Sequence, residues 1–402
     1  MFAQRRVSVP TGFFGADLGD SATRSVDGRN FVEVAWRRPL GYGKAVKWRA
    51  YYDQFRYDGL YSYLDSSSYQ DLDGAAGDWI GSQFLYQQEQ TRLGSITAGA
   101  DTNIDLRNLQ YNVAVDSTPV GSVQEEKFLI RRRDANYAVF VQDEWKPAPA
   151  WIVYLGGRFD GSRDNPGVFS PRAVVVYKRN AATYKAMYGR AFRNPSTFER
   201  YWSPNPLLVA ERIHSVELSR EQQLGKSLRL LTSVFHYRLT GLIQGVPLTE
   251  NSLQYQNRSK ASATGVEVEL TGHPFERLDT SVSYTAHRLR GIDDRHSIEN
   301  SPARIAQFRA AVPFARERMV LAGVMRYVSS RLTAYDGITA PATTVFDLTA
   351  TTRPTQGPMD LQFGVRNLFD NQYADPLSTE HASAVLQRAG RSVYVKLSWR
   401  ME

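Results

Sequence analysis

The strongest constraint on this chain is a hydrophobic period of two. In the last hairpin, Asp360 to Arg400, Leu361, Phe363 and Val365 alternate with Gln362, Gly364 and Arg366. Val393, Val395, Leu397 and Trp399 alternate with Tyr394, Lys396, Ser398 and Arg400. Successive side chains on a strand point to opposite faces, so each of these strands has one greasy and one polar face. The same texture runs back to about Arg29, and its links alternate in length. Links near Gly41, Arg92, Pro147, Arg179, Gly225, Pro274, Ala315 and Thr355 are short. Links near Asp58, Val115, Asn194, Gly245, Asp293, Tyr335 and Ser378 are long, with 161–167 intermediate. A transmembrane β-barrel has this layout, with lipid on its outer face, water on its inner face, short periplasmic turns and longer outer loops.

Composition fits that class. Aromatic residues make up 12% of the 402, yet no run of about 18 apolar residues occurs, which excludes a helical membrane span. Mean hydropathy is only -0.42, as a barrel allows because only alternate residues meet lipid. The absence of cysteine excludes disulfides, thiol nucleophiles and Cys-based metal sites. A net charge of +8 points to an anionic partner: lipopolysaccharide, nucleic acid or an acidic solute. Genome composition is the bland alternative.

Strands are predicted over 29–38, 45–57, 79–90, 94–105, 136–145, 151–160, 168–178, 183–192, 213–224, 228–243 and 253–271. Further strands follow over 278–287, 304–312, 319–328, 345–352, 361–365 and 392–400. The insert 194–209, with Pro195, Pro204 and Pro206, is excluded from strand interior. The fold class is therefore all-β, an antiparallel transmembrane β-barrel. It divides into 1–28, a partial strand and loop, and 29–402, the barrel itself. About seventeen strands are legible, or eighteen with a strand tail in 1–28. An odd count in a fold that closes on even numbers, and no apolar leader after Arg5 and Arg6, lead us to expect a truncated chain.

Three stretches resemble the barrel of TonB-dependent outer-membrane receptors, which take up siderophores, cobalamin and similar scarce solutes. The first is Tyr188-Gly-Arg-Ala-Phe-Arg-Asn-Pro195, followed by Asn205-Pro-Leu-Leu and Glu211, with Ala210 where the family usually has Pro. The second runs from Phe235 to Gly265 through Leu242-Ile243, Tyr255-Gln-Asn257 and Gly265-Val-Glu267. The third is Gly364-Val-Arg-Asn-Leu-Phe-Asp370, Tyr373-Ala-Asp-Pro376 and Gly390-Arg391. The match covers residues 136–400 by motif and the earlier chain by texture. It implies a 22-stranded parent of which this chain holds about 17–18 strands, with the plug domain and TonB-contacting segment absent here. It also implies a Gram-negative outer membrane, the TonB-ExbB-ExbD complex as energy source of the full-length parent, and a metal-chelate or cobalamin-like ligand. Family chains usually end on an aromatic residue, whereas here Met401 and Glu402 follow Trp399.

Arg193, Tyr201, Trp202 and Tyr373 are the candidate substrate-binding residues, because loops on the outer side recognise the solute and these supply cationic and aromatic contacts. Ordinary loop packing competes for each. Arg131 to Arg133 stand where a loop base meets lipopolysaccharide phosphates, against the reading of a solvated charge run. Asp293-Asp294-Arg295-His296 and Asp65, Asp71 and Asp73 lack metal-site spacing and read as solvated loops. Trp36, Trp48, Trp79, Trp145, Trp151 and Trp399 fall near strand ends, as interfacial girdles do. No catalytic constellation, cofactor motif, metal site or nucleic-acid signature is readable, so the chain is not expected to be an enzyme. A passive plug-less outer-membrane channel and a soluble all-β binding module are the competing readings; the second lacks the repeat of about 40–50 residues a propeller shows.

Overall fold

The computed structural model describes residues 2–8, 23–63, 66–89, 94–118, 121–249, 252–291, 298–315, 318–352, 359–378, 381 and 383–399. Its elements begin with β1 (Phe2–Ser8), β2 (Arg24–Gly41), β3 (Lys44–Tyr63), β4 (Ser66–Gln88), β5 (Gly94–Thr118) and β6 (Gly121–Arg132). β7 (Ala135–Ala148), β8 (Trp151–Ser162), β9 (Val168–Arg179) and β10 (Ala182–Arg193) lead to a single helix, α1 (Thr197–Tyr201). Then come β11 (Glu211–Leu224), β12 (Leu228–Thr249), β13 (Ser252–Phe275), β14 (Leu278–Gly291), β15 (Arg304–Phe314) and β16 (Met319–Val328). The remainder is β17 (Arg331–Leu332), β18 (Thr339–Ala340), β19 (Thr343–Thr352), β20 (Met359–Arg366), β21 (Ala374–Pro376), β22 (Val385–Gln387) and β23 (Ser392–Trp399).

Nineteen of these strands form one antiparallel sheet whose order along the wall is the chain order. β5 pairs with β7 from Gly94↔Trp145 to Ile104↔Ala135 and with β6 from Asn108↔Arg132 to Thr118↔Gly121. β6 and β7 therefore run end to end as one stave, broken at Arg133 and Asp134, and the described wall has eighteen staves. That is the upper count expected from sequence, β1 being the eighteenth through its ladder to Arg24–Asn30. Among the described residues no ladder joins β1 to β23.

The apolar face is carried from stave to stave by register. On β7, Tyr137, Val139 and Val141 are 53%, 56% and 53% exposed, whereas Ala138 between them is 3% exposed. Opposite pairs such as Trp36↔Trp48, Val34↔Ala50 and Val32↔Tyr52 repeat the outward choice on β2 and β3. Val393, Val395, Leu397 and Trp399 expose the same kind of row on β23. An uncovered apolar surface this extensive is what a lipid-facing wall requires. Trp36, Trp48, Trp145, Trp151 and Trp399 all lie on this face and are exposed. Trp151, Tyr177 and Tyr184 make a ladder next to the short-turn ends, with centroids 4.5 and 6.2 Å apart. Trp79 departs from the expected girdle. It is paired with Asp53, on the polar face, because the alternation of β4 points it inward.

The long links also differ from expectation. Within 58–76 and 106–132, read as loops, residues 58–63, 66–76, 106–118 and 121–132 are strand, in tall hairpins, and the link near Gly245 is a hairpin of β12 and β13 whose ladder reaches Thr249↔Ser252. Asp, Ser and Gly are poor strand formers there, but ladder pairing with a neighbour already in place overrides that preference. The 292–297 link, with its Asp-Asp-Arg-His run, and Asp65 lie outside the described residues.

Face assignment makes a paired test. Val141→Arg, at mid-stave on the apolar face, is expected to destabilise the folded barrel by about 2–4 kcal/mol in denaturant titrations in lipid, whereas Gln142→Arg on the inner face costs under about 1 kcal/mol. Equal costs at the two positions overturn the assignment.

Candidate ligand-binding site

The polar faces of β2–β8 form a continuous charged wall. Arg29 donates from Nε and Nη2 to the two carboxylate oxygens of Asp53, at 3.1 and 2.6 Å. Arg49 stands 3.6 Å from Glu33. Arg158 bridges Asp101 at 2.6 Å and Asp160 at 2.8 Å, and Gln83 donates to Asp101 at 2.8 Å. Gly81 sits directly opposite Tyr51, whose ring lies where a Cβ at residue 81 would stand, 2.2 Å away. The missing side chain lets the ring lie flat on the wall, and Gly364 does the same for Tyr394 at 2.3 Å. A cavity of about 510 Å³ is lined by Arg29, Glu33, Arg49, Asp53 and Trp79 with Phe31 and Tyr51. A second, of about 290 Å³, adjoins it through Arg49 and Tyr51 and reaches Arg158.

At the long-link end, α1 is a five-residue helix with a complete capping box. The Glu199 N–H donates to Ser196 Oγ at 3.1 Å, and the Ser196 N–H donates to Glu199 Oε2 at 2.7 Å. Four helical donors would otherwise lack partners, and this exchange satisfies two groups at once. Arg193 donates to both Glu199 oxygens at 2.9 and 3.0 Å and to Glu211 at 2.7 Å. The sequence candidate Arg193 is thus the strut joining β10, α1 and β11, its charge already matched by two carboxylates.

Tyr201 and Trp202 lie close together on this helix end, but their partners come from elsewhere. The Tyr201 hydroxyl donates to Asp164 at 2.5 Å, Arg132 is 3.3 Å from Asp164, and the Arg132 guanidinium stacks 3.9 Å from the Tyr201 ring centroid. Phe198 stacks on Trp202 at 5.2 Å and meets Phe128 of β6 at 5.4 Å and Tyr255 of β13 at 6.0 Å. β13 is six ladders along the wall from the stave of β6, so α1 joins hairpins that the sheet keeps apart. Leu208 anchors the loop, 1% exposed, while Leu207 beside it is 83% exposed. Arg200 donates to the Leu208 carbonyl at 2.9 Å, and Asn257 bonds both the N–H and the carbonyl of Val209. Next to this cluster a cavity of about 810 Å³ is lined by Arg107, Arg131, Arg132, Arg133 and Arg163 with Asp164.

Tyr373 is placed apart, in the link between β20 and β23. Its carbonyl accepts from the Arg388 N–H at 2.9 Å, beside the Arg331–Asp375 pair at 2.9 Å. The motif residues around it act as staples. Asn367, 3% exposed and at φ 50, exchanges hydrogen bonds with Asn371, and Asp370 accepts from the Arg391 N–H at 2.6 Å. Asp71, weighed above among the loop acids, is 4% exposed and paired with Lys127 at 2.8 Å.

Phe198 and Asp164 of this cluster are not singled out by the sequence, Arg132 stands out there only as a loop-base cation, and Tyr255 only within a family-like stretch. The Ser196-Thr-Phe-Glu199 run carries a readable capping-box signature for α1, but nothing local announces its partners.

The Tyr201 hydroxyl, helped by Arg132 and opposed by burial, holds the Asp164 carboxylate below its usual range. At Glu199 burial pushes upward, but the Arg193 and Ser196 hydrogen bonds outweigh it and the carboxylate again titrates low. Depressed native values mean that both groups stabilise the loop above the ordinary carboxylate range, near about pH 4, and that this contribution is lost as pH falls through the native values. Amide exchange protection at 196–202 is expected to be flat from neutral pH to about 5 and to drop below about 4; in Ser196→Ala, at a cost of about 1 kcal/mol, it is lower throughout. Protection independent of pH and of Ser196 contradicts this assignment.

The family described as TonB dependent receptor-like, beta-barrel matches residues 4–368. No curated protein matches the sequence. Among solved structures, the closed form of the ferric-catecholate import receptor Fiu of E. coli K12 superposes with a TM-score of 0.76 at 12% identity, over 96% of this chain and 65% of that one. The pyoverdine outer membrane receptor FpvA of Pseudomonas aeruginosa PAO1, bound to pyoverdine, gives 0.79 at 13%, over 100% and 68%. The ferric citrate transporter FecA in its unliganded form gives 0.82 at 13%, over 99% and 66%. This chain spans about two thirds of the length of those proteins, and at such identities the likeness is one of fold. Together with the eighteen-stave wall and its two-faced alternation, the family match over most of its length shows that the chain belongs to the TonB-dependent receptor β-barrel family.

Proposed function

We propose that this chain is the barrel wall of an outer-membrane receptor that captures an anionic metal chelate at its long-loop mouth and passes it inward with energy relayed by a TonB-ExbB-ExbD complex. The observation that carries this reading is the mouth cluster of Arg132, Tyr201, Trp202, Phe198 and Tyr255, gathered from hairpins six ladders apart beside an arginine-lined cavity. Arginine supplies bidentate donors to carboxylate or catecholate oxygens, and the rings supply flat apolar faces for aryl groups. A cavity of about 810 Å³ is also of the size that encloses a small-molecule ligand. The solved neighbours include a ferric-catecholate import receptor, a pyoverdine receptor and a ferric citrate transporter, which supports an iron chelate as cargo. In this reading Trp202 and Tyr201 touch the solute, Arg193 holds the loop that presents them, and Tyr373 contributes from the last long link. The inner wall of Arg29, Arg49 and Arg158 then offers the solute polar contacts along the lumen.

The test is binding and uptake of radiolabelled ferric citrate and a ferric catecholate by cells carrying the full-length receptor. Arg132→Ala and Trp202→Ala are each expected to weaken binding about tenfold, the scale of one charged hydrogen bond or ring contact. Uptake should stop when the inner membrane is de-energised. Unchanged binding in both variants removes the mouth cluster from recognition, and uptake that persists without energy favours a passive channel.

A further inference from the structure

Register alone sorts the charges of β10–β15 between the two faces. The row Arg190↔His214↔Arg238↔Ser262↔Arg290 crosses five staves on the outward face, and Arg212↔Thr240↔Lys260 runs beside it. Arg288 lies two residues before Arg290 on the same face. Arg212, Arg238, Lys260, Arg288 and Arg290 are exposed, Arg190 is half-buried with its Nε unbonded, and none of the six has an ion-pair partner among the described residues. The outward positions of these strands, taken up to Lys260 on β13, hold neither Asp nor Glu, whereas Glu217, Glu221, Glu267, Glu269 and Asp279 alternate onto the inner face.

Depth along the staves is equally selective. Arg238 stands ten residues above Leu228 and Arg288 ten above Leu278, each counted from the short-turn end. A spanning strand takes about 9–11 residues, so these guanidinium groups emerge at the level of the outer headgroups. Below them on the same face come Tyr188, Val216, Val234 and Tyr284, all exposed, with His236 between Arg238 and Val234 and Ala286 between Arg288 and Tyr284. With strands about 4.8 Å apart, the row is about 20 Å wide. A surface that is cationic above and mainly apolar below, with no acid on it among the described residues of these strands, fits an amphiphile with phosphates on its head and acyl chains beneath.

We propose that this face of β10–β14 is a docking site for the phosphorylated glycolipid of the outer leaflet, lipopolysaccharide, whose phosphates lie on Arg212, Arg238 and Arg288 while its acyl chains run down the apolar row. Arginine stems lie along the apolar surface and the forked heads reach the phosphate oxygens. The assignment rests on the outer-membrane placement in the reading above but not on the nature of the transported solute.

The experiment is native mass spectrometry of the full chain, folded in detergent, titrated with diphosphoryl lipid A, its dephosphorylated form and inorganic phosphate. Wild type is expected to retain diphosphoryl lipid A and to release it at high salt. At about fivefold per arginine, the triple variant Arg212→Gln, Arg238→Gln, Arg288→Gln loses affinity on the order of a hundredfold. The inner-face double variant Arg229→Gln, Arg309→Gln keeps wild-type affinity. Should the triple variant fail to fold, Arg238→Gln and Arg288→Gln are each read singly for the fivefold loss. Equal retention by outer- and inner-face variants, equal retention of dephosphorylated lipid A, or binding of inorganic phosphate alone with the same dependence on these arginines overturns the proposal. Chelate uptake that persists when lipid A binding is absent sinks this inference and leaves the receptor reading standing, and lipid A binding without chelate uptake does the reverse.

Discussion

Everything in this molecule follows from the need to satisfy backbone hydrogen bonds where no water is available. In hydrocarbon an unpaired N–H or C=O costs several kcal/mol, so a chain crossing in strands pairs every stave with the next. The ladders here run unbroken through the middle of the staves. Their register shifts gather near the ends and in the tall hairpins, at Asp78/Trp79, Asn112/Val113 and Thr240/Leu242 among others. An extra residue is tolerable where water or a loop can reach the backbone, and it re-aims the side chains that follow. The break at Arg133 and Asp134, where the partner of β5 changes from β7 to β6, is the largest such interruption.

With the backbone committed to the wall, side chains divide the remaining work by face. Inward positions carry paired charges such as Arg29 with Asp53 and Arg158 with Asp101, so the lumen side is polar but internally compensated. On β10–β14 the outward positions carry mainly rings and aliphatics through the span and, at the long-link rim, bases without an ion-pair partner among the described residues. The acids Glu217, Glu221, Glu267, Glu269 and Asp279 of the same strands alternate onto the inner face. The same ladder thus presents two different electrostatic surfaces a few ångströms apart.

The mouth is organised differently. Its loops have no sheet to complete them and are held by ion pairs and side-chain-to-backbone hydrogen bonds. Arg193 with Glu199 and Glu211, Arg200 with Leu208, Asn257 with Val209 and Asn367 with Asn371 are of this kind. Several residues that make the chain resemble its family, Arg193, Glu211, Asn257 and Asn367, prove to be these staples. Rigid anchoring of this sort lets Tyr201 and Trp202 present their rings in one arrangement rather than many.

Alternation, the inequality of short and long links, and the prolines between 194 and 209 determined the fold class, nearly every stave and which neighbouring residues of a stave share a face. Those are local properties, since a period of two is written in consecutive residues. Other features belong to the tertiary structure alone. The strands over 58–63, 66–76, 106–118 and 121–132 extend because neighbouring staves offer them a ladder, against the preference of their Asp, Ser and Gly. Arg132 of β6, Asp164 of the link between β8 and β9, and Tyr255 of β13 join Tyr201 and Trp202 from separate parts of the wall. Arg193, a candidate by chemistry, is neutralised by two glutamates, one six residues ahead on α1 and one across the ladder on β11. A sequence states which side chains are available, but which of them find each other depends on distances across the barrel mouth, and only the assembled wall sets those.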